Sequence, residues 1–400
     1  MNHHVVKSRV AARFADIEKS ATYAVLELVH ELRAQGVPVL DLGGGEPDFD
    51  TPEHIVAEAA LALEEGFTHY SPSRGLPALL HAISDKLAKD NGIHADPASD
   101  IIVTPSAKHA LFITLMTLLD PGDEVIVPTP SWVSYQSMAR LVGARPVAAE
   151  LRGDDDFRIT REVLERQVTD RTKALLVNSP NNPTGRTLSP EEVRAVADFA
   201  EAHELFVISD EIYEKIRYGD APHLSPAAVP GCAERTVTVN GFSKGYAMTG
   251  WRLGYAAGPA PVMTEMLKVQ QHSVGCAGSF VQRGGLAALT GTQQPVQDMA
   301  DAYTRRMRLI TDGLNALPGI SCAKPRGGFY AFPDIRGTGF ASSADFATWL
   351  LREAYVAVMP GTAFGPGGEG HVRLSFATSE TVVEEALDRM ATALAAAPHL

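Results

Sequence analysis

Five short aliphatic runs are separated by longer segments between residues 101 and 257. Runs of this length, bounded by glycine, proline and small polar residues, predict buried strands. Strands that alternate with helices form a mostly parallel sheet with helices on both faces. The runs lie at residues 101–104, 125–127, 175–177, 205–209 and 236–239. This pattern predicts an α/β protein.

The pattern changes after about residue 285. Apolar spacing predicts helices over 297–316 and 343–355, followed by a strand at 356–359. Residues 371–376 alternate strictly between apolar and polar side chains, which places Arg373 on one face of a strand. We therefore expect a second, smaller α+β domain. The predicted division is an N-terminal arm with part of the small domain (1–45), a large domain (46–285) and a small C-terminal domain (286–400).

Charge and composition exclude several classes of protein. The 400 residues carry a formal net charge of −13, and no basic run exceeds Arg305-Arg306, so neither nucleic acid nor an anionic membrane is an expected partner. The longest apolar stretch, 111–119, is too short to span a bilayer, and the first residues do not resemble a signal peptide. Three separated cysteines without metal-ligand spacing suit a reducing compartment. We expect a cytoplasmic protein without a metal site.

One lysine lies in an apolar setting just after the fifth run. Phe242 and Tyr246 flank Lys244, and Ser243 precedes it. An apolar setting lowers the pKa of a lysine, and a neutral amine forms Schiff bases with aldehydes. The hydroxyl of Ser243 and the guanidinium of Arg252 suit a phosphate. Pyridoxal 5′-phosphate (PLP) is an aldehyde that carries a phosphate. The alternative is a lysine on a surface loop.

A turn of small residues connects the first run to a helix. Ser106, Ala107 and Lys108 stand between the strand at 101–104 and the helix predicted at 109–119. Free backbone N–H groups and the helix dipole make such a turn an anion site. An ordinary strand-to-helix turn is the alternative interpretation.

The segment Ser243-Lys244 with Met248-Thr249-Gly250-Trp251-Arg252-Leu253-Gly254 resembles the cofactor-lysine segment of the class I/II aminotransferases. The resemblance extends over nearly the whole chain, from about residue 8, with the motifs in the family's order. It implies the aspartate aminotransferase fold (PLP fold type I). It also implies amino transfer from an L-amino acid to a 2-oxo acid through pyridoxamine phosphate, with Lys244 as Schiff-base lysine and proton carrier.

The resemblance assigns further residues to the cofactor. Asp210 is implied to pair with the pyridine nitrogen, and Tyr213 and Asn182 to hydrogen-bond the pyridine hydroxyl. Trp132 is implied to stack on the ring. The same comparison favours phosphate binding at the turn 106–108, at Ser243 and at Arg252.

Other residues are assigned to the substrate and to a second subunit. Arg373 and the backbone N–H of Gly44 are implied to hold the α-carboxylate of the amino acid, and Trp132 and Asn182 to line the substrate site. The family tyrosine at the Tyr70 position reaches the cofactor phosphate of the partner subunit. The functional unit is therefore expected to be a homodimer with shared active sites.

Two alternatives to amino transfer remain open at the level of sequence. The same residues serve other PLP chemistry on amino acids, namely that of a β-lyase, a decarboxylase or an oxidase. A PLP-binding regulatory domain is the second alternative, but such proteins usually carry a DNA-binding module ahead of this fold.

The arm gives an expectation about the donor. Relatives that use aspartate often carry a basic residue where this chain has Glu18, and Lys19 stands where proline is usual. A carboxylate facing the distal acid of the substrate is repulsive unless Lys19 replaces it. The sequence thus predicts a neutral or basic donor in preference to aspartate. The alternative is that Glu18 is solvated on the arm.

Overall fold

The computed structural model describes residues 22–219 and 223–396 together with residues 11 and 14, and side chains of the first helix from Glu27 on. Short 3₁₀ turns lie at Gly153–Asp155, Pro226–Ala228, Ala233–Arg235, Arg336–Thr338 and Gly361–Phe364. The helices are α1 (Thr22–Ala34), α2 (Glu53–Glu64), α3 (Pro77–Lys86, continued by a π-helical turn at Leu87–Asn91), α4 (Ala107–Leu118), α5 (Ser134–Leu141), α6 (Arg161–Glu165), α7 (Pro190–Ala202), α8 (Ala260–Ser273), α9 (Ser279–Thr290), α10 (Gln294–Ala316), α11 (Ser343–Glu353) and α12 (Glu380–Ala396).

The strands include the five runs predicted between residues 101 and 257, whereas the strand predicted at 356–359 is divided into two short strands that belong to different sheets. They are β1 (Leu40–Asp41), β2 (Ile101–Thr104), β3 (Glu124–Thr129), β4 (Arg145–Glu150), β5 (Thr172–Asn178), β6 (Phe206–Asp210), β7 (Thr236–Gly241), β8 (Gly254–Ala257), β9 (Tyr330–Ala331), β10 (Val356–Ala357), β11 (Met359–Pro360) and β12 (Val372–Ser375).

Seven of the described strands form the central sheet, in the order β2-β8-β7-β6-β5-β3-β4. The pairs β3–β4, β3–β5, β5–β6 and β6–β7 are parallel, and only β8 runs antiparallel to its two neighbours in this sheet. The prediction of a mostly parallel α/β sheet is therefore confirmed. Because the carboxyl ends of parallel strands meet at one edge, residues that follow β2, β3, β5, β6 and β7 are brought together there.

Neighbouring residues of the central strands pack into different apolar layers. Leu175 and Val207 belong to a cluster with Val196 and Phe199 of α7. Leu176 and Ile208, one position further along, pack on the other face with the side chains of α4, α5 and α8. Each fully buried aliphatic side chain of this kind contributes about 1.5–3 kcal/mol through the hydrophobic effect. Burial on both faces explains the continuous aliphatic runs.

Two smaller sheets lie in the part of the structure built by the two chain ends. β1 pairs in parallel with β10, and β11, β12 and β9 form an antiparallel sheet. An aromatic cluster that includes Tyr303, Phe329, Phe346 and Phe376 packs between these strands and α10, α11 and α12. The pairing of β1 with β10 supports the expected grouping of residues 1–45 with the C-terminal part, while the domain boundaries stay a prediction.

The start of α2 differs from the sequence prediction. The sequence Thr51-Pro52-Glu53 predicts a helix with Thr51 as its N-cap, but α2 begins at Glu53 after Pro52, with no side-chain cap. The Thr51 hydroxyl donates instead to the Ala247 carbonyl (2.7 Å) and accepts a hydrogen bond from the Trp251 indole (2.9 Å). These contacts with the Lys244 segment, 196 and 200 residues away in sequence, outcompete a local cap.

The helices are too short or too polar to cross a bilayer. None of those in the described ranges combines the length and the hydropathy that a membrane span requires.

Candidate active site

A cavity of about 570 Å³ opens at the carboxyl ends of the central strands. Asn178 closes β5, Asp210 closes β6, and Lys244 follows β7. Arg373 enters from β12, in the part built by the chain ends. All predicted site residues except Tyr70 line this cavity, namely Gly44, Ser106, Ala107, Lys108, Trp132, Asn182, Asp210, Tyr213, Ser243, Lys244, Arg252 and Arg373.

The amine of Lys244 faces the cavity from the turn after β7. Its Nζ donates a hydrogen bond to the Gly45 carbonyl, and it lies 5.8 Å from the centre of the Phe329 ring. Burial lowers the pKa of the Lys244 amine to about 8; nearby Arg373 also lowers it, whereas Glu46 raises it. A lysine with this pKa is partly neutral near physiological pH, and the neutral amine is a nucleophile.

The carboxylate of Asp210 is buried at the end of β6. Tyr135 donates to its Oδ2 at 2.7 Å, and the Ile212 amide donates to its Oδ1 at 3.2 Å. Burial raises the pKa of Asp210 to about 6, although both hydrogen bonds oppose this shift. A buried carboxylate that faces a cavity is suited to a cationic nitrogen of a ligand.

The turn at the start of α4 has the geometry of an anion site. Ser106 has φ 93°, and its hydroxyl accepts from the His109 amide at 3.3 Å. Gly254 of β8 packs directly on this turn, since an added Cβ would lie 2.3 Å from the Ala107 nitrogen. Ser243 and Arg252 line the cavity beside it. The first amides of α4 and these two polar side chains therefore line the same cavity, and groups of this kind are suited to an anion.

The guanidinium of Arg373 is buried. Its Nη1 donates to Asn182 Oδ1 at 3.0 Å and its Nη2 to the Gly43 carbonyl at 2.6 Å. The group lies over the rings of Tyr330 and Phe364, at 4.5 and 4.9 Å from their centres. Its Nε is buried without a partner within the described chain. Burying a cation among neutral oxygens is costly, and a carboxylate ligand would offset this cost.

The aromatic residues of the cavity contact one another. Lys108 Nζ lies 4.8 Å from the centre of the Trp132 indole, and Trp132 packs edge-on against Tyr135 at 5.4 Å. The hydroxyls of Tyr213 and Tyr330 are 3.0 Å apart. Burial lowers the pKa of the Lys108 amine, and the charge of Arg252 adds to this effect.

Sequence reasoning missed several residues of the cavity. Tyr135 and Tyr330 are described above, and Glu46 accepts from the Thr249 hydroxyl at 2.9 Å. Tyr135 follows Trp132 by three positions, the spacing that brings side chains to one face of a helical turn. This spacing was the available signal, but a tyrosine there is equally suited to packing.

The cavity does not test two predictions, one about a neighbouring subunit and one about the arm. Tyr70 is 95% exposed and does not line it. Such exposure leaves the side chain of Tyr70 accessible to a second subunit. Its role at the phosphate site of the partner stays a prediction. Glu18 and Lys19 lie outside the described residues.

The residues present fit PLP. The cavity holds a nucleophilic lysine, a buried acid and an anion-binding turn, which match the aldehyde, the pyridine nitrogen and the phosphate of this cofactor. The guanidinium of Arg373 at the same cavity is suited to a substrate carboxylate. These are the complementary groups that PLP chemistry on amino acids requires.

Fold and site together define an aminotransferase of PLP fold type I. The model of the family "Aminotransferase class I and II" matches residues 37–390, and the chain belongs to this family. It is 54% identical over 385 residues to an aspartate aminotransferase of Musicola paradisiaca (strain Ech703), covering 96% of each chain. An aromatic-amino-acid aminotransferase of Thermococcus litoralis is 44% identical, over 89% of this chain and 92% of the relative.

Solved structures agree with this assignment. The aspartate aminotransferase of Thermus thermophilus with maleate superimposes with a TM-score of 0.91 at 43% identity, covering 96% of this chain and 99% of the other. The protein is thus a PLP-dependent aminotransferase that acts on amino and 2-oxo acids. Neither a different PLP chemistry nor a regulatory role is favoured by these relatives.

Proposed function

We propose that Lys244 is the cofactor lysine of this aminotransferase and that the cavity around it is the site of amino transfer. The observation that carries the proposal is the Lys244 amine, whose pKa burial lowers to about 8, in one cavity with Asp210 and Arg373. When bound, PLP supplies an aldehyde for the amino group and a ring that accepts the electron pair left at the substrate Cα.

The remaining cavity residues divide between cofactor and substrate. Asp210 holds a proton at the pyridine nitrogen, and Tyr213 and Asn182 donate to the pyridine hydroxyl. Trp132 offers a flat apolar surface to the ring. The backbone of residues 106–108 and the side chains of Ser243 and Arg252 bind the phosphate.

The substrate carboxylate is assigned to Arg373 and to the backbone of Gly44. A guanidinium binds a carboxylate through two parallel hydrogen bonds, which fixes the orientation of the Cα–H bond. Lys244 Nζ is then placed to take the proton from Cα as a general base and to return it as a general acid. Its pKa near 8 suits both directions at neutral pH.

We propose that dicarboxylic amino acids are among the donors. Several relatives, including that of Musicola paradisiaca, are named aspartate aminotransferase, and the Thermus structure holds maleate, a dicarboxylate. Arg373 is assigned to the α-carboxylate, Arg252 to the phosphate and Lys244 to the cofactor aldehyde. Lys108 is the remaining lysine or arginine of the described cavity lining, and we assign it to the distal acid. The expectation of a neutral or basic donor, drawn from Glu18, stays a competing prediction.

The proposed working form is a cytoplasmic homodimer. Tyr70, exposed in one chain, would reach the phosphate site of its partner. Within each subunit we propose a large domain over 46–285 and a small domain over 286–400, which residues 1–45 join through β1. This division places the cavity between the parts that carry Lys244 and Arg373.

The assignment of Lys244 is tested by reducing the purified holoenzyme with borohydride and mapping the labelled peptide. The label is expected on Lys244, and a label on Lys108 or Lys268 overturns the proposal. Product analysis then separates the reactions, because only amino transfer converts the cofactor to pyridoxamine phosphate and yields the matching 2-oxo acid. Ammonia, carbon dioxide or peroxide as the main product would instead indicate a lyase, a decarboxylase or an oxidase.

A further inference from the structure

The tyrosine at the rear of the cavity bonds directly to the buried acid. Tyr135 lies in the first turn of α5 and donates to Asp210 Oδ2 at 2.7 Å. Both side chains are almost completely buried, at 2% and 3% exposure. The Ile212 amide donates to the other oxygen at 3.2 Å. Each carboxylate oxygen therefore has a fixed donor, which restricts rotation of the carboxylate about its own bond.

The surroundings of Asp210 make the hydrogen bond from the Tyr135 hydroxyl important for the ionisation of Asp210. Burial is the largest influence and raises the pKa of Asp210 to about 6; Glu211 raises it as well. The Tyr135 hydrogen bond is the largest influence in the opposite direction, with smaller help from Lys244. Tyr213, which also faces Asp210, has a pKa raised by burial well above its ordinary value. Without the Tyr135 hydrogen bond, the pKa of Asp210 rises further, which favours the protonated, neutral form of Asp210.

The tyrosine itself keeps its proton. Burial and the neighbouring Asp210 charge raise the pKa of Tyr135 well above the ordinary value for a phenol. It therefore remains a hydrogen-bond donor at every pH at which the enzyme works. Its ring also packs edge-on against Trp132, at 5.4 Å and 86° between planes, which orients the hydroxyl.

We propose that Tyr135 is a positioning residue that keeps Asp210 ionised and aimed at the pyridine nitrogen. The proposal rests on the cofactor role proposed above for Asp210. One proton lies between the Asp210 carboxylate and the pyridine nitrogen. When Tyr135 stabilises the carboxylate, this proton stays on the nitrogen, and the protonated ring is the better electron acceptor. A carboxylate without this donor is more basic and draws the proton towards itself.

The test uses the holoenzyme of Tyr135→Phe loaded with PLP that carries ¹⁵N in the ring. We expect the nitrogen resonance to move towards that of neutral pyridine, and kcat to fall about tenfold to a hundredfold, as for loss of a hydrogen bond to a charged group. Tyr303→Phe is the matched control. Tyr303 is also buried and also donates to a carboxylate, Asp48 Oδ1 at 3.3 Å, but outside the cavity.

A second substitution at position 135 distinguishes loss of the hydrogen bond from misfolding. Fluorotyrosine at position 135 keeps the ring shape and makes the hydroxyl a stronger donor, so the nitrogen resonance should move in the opposite direction. Asp210→Asn separates the two proposals. Normal turnover and an unchanged resonance in Asp210→Asn overturn the role of Asp210 itself. A strong effect in Asp210→Asn, with an unchanged resonance in both Tyr135 variants, overturns the role of Tyr135 alone.

Discussion

Gly254 and Ala107 are in contact through their backbones, between β8 and the first residue of α4. A Cβ at Gly254 would lie 2.3 Å from the Ala107 nitrogen and 2.6 Å from the Ser106 carbonyl carbon. Real Cβ atoms do not approach backbone atoms this closely, so the neighbour would have to move. The glycine therefore sets where the proposed phosphate site stands relative to the Lys244 segment.

Gly254→Ala should weaken PLP binding at least tenfold, because the added methyl group displaces the turn at Ala107 and its amides. The dissociation constant of PLP from the apoprotein, measured by fluorescence or equilibrium dialysis, checks this. Gly250→Ala is the control, since an added Cβ there meets no atom within 4 Å. Equal PLP affinity in both variants would contradict the proposed phosphate site.

Lys244→Met should stabilise the apoprotein. Folding lowers the pKa of this amine from its ordinary 10.5 to about 8. Below pH 8 the folded chain bears the full cost of a buried ammonium, about 2–3 kcal/mol, and this cost disappears as the pH rises from 8 to 10.5. The gain in unfolding free energy from the substitution should therefore be largest near pH 7 and small at pH 10.

Urea unfolding of both apoproteins at the two pH values measures this difference. Lys268→Met provides a control, because Lys268 is exposed and paired with Glu265. A gain of the same size at pH 7 and pH 10 would show that the charge of Lys244 is not its cause.

Arg373→Lys should raise KM for the amino acid about tenfold to a hundredfold while PLP stays bound. A lysine keeps the charge but loses the planar pair of N–H donors that a carboxylate accepts from. The two separate Nη nitrogens that donate to Asn182 and Gly43 are also replaced by a single nitrogen, which weakens these contacts. Steady-state kinetics and the cofactor absorption spectrum check the two parts. A lower PLP affinity with unchanged KM would place Arg373 at the cofactor instead.

Tyr70→Phe should weaken PLP retention in the partner's site. Inactive Lys244→Ala subunits are mixed with Tyr70→Phe subunits and allowed to exchange. If Tyr70 serves the neighbouring subunit, each hetero-dimer has one doubly altered site and one intact site, and activity rises above that of either parent. An absence of recovery, with hetero-dimers demonstrated by native mass spectrometry, would mean that Tyr70 acts within its own chain or has no catalytic role.

A donor panel decides between the two substrate expectations. If Lys108 meets a distal acid, Lys108→Gln should lower kcat/KM for aspartate about tenfold or more relative to phenylalanine, with Lys268→Gln as the control. If the argument from the arm is right, a neutral or basic amino acid gives the highest kcat/KM, and Glu18→Lys raises the value for aspartate. Aspartate as the best donor, with no response to Glu18→Lys, would reject the arm argument.

The sequence by itself determined the layers of the fold and most of the candidate cavity lining. The aliphatic runs before Lys244 are continuous and clearly bounded, so they indicated strands buried on both faces. Parallel strands bring their carboxyl ends to one edge, which explains why Asp210 and the turn at Ser106 could be placed together with Lys244. The resemblance added other lining residues, such as Trp132, Asn182 and Tyr213. It also added Arg373, whose strand alternation alone was equally typical of a surface position.

Tertiary packing alone decided the pairings between distant segments. Tyr135 bonds to Asp210 across 75 residues, and Thr51 turns away from α2 to contact Ala247, 196 residues further on. Local preferences depend on a few neighbouring residues, whereas these hydrogen bonds depend on which elements meet once the core is buried. For the same reason the unpartnered Nε of Arg373 became evident only when its surroundings were known.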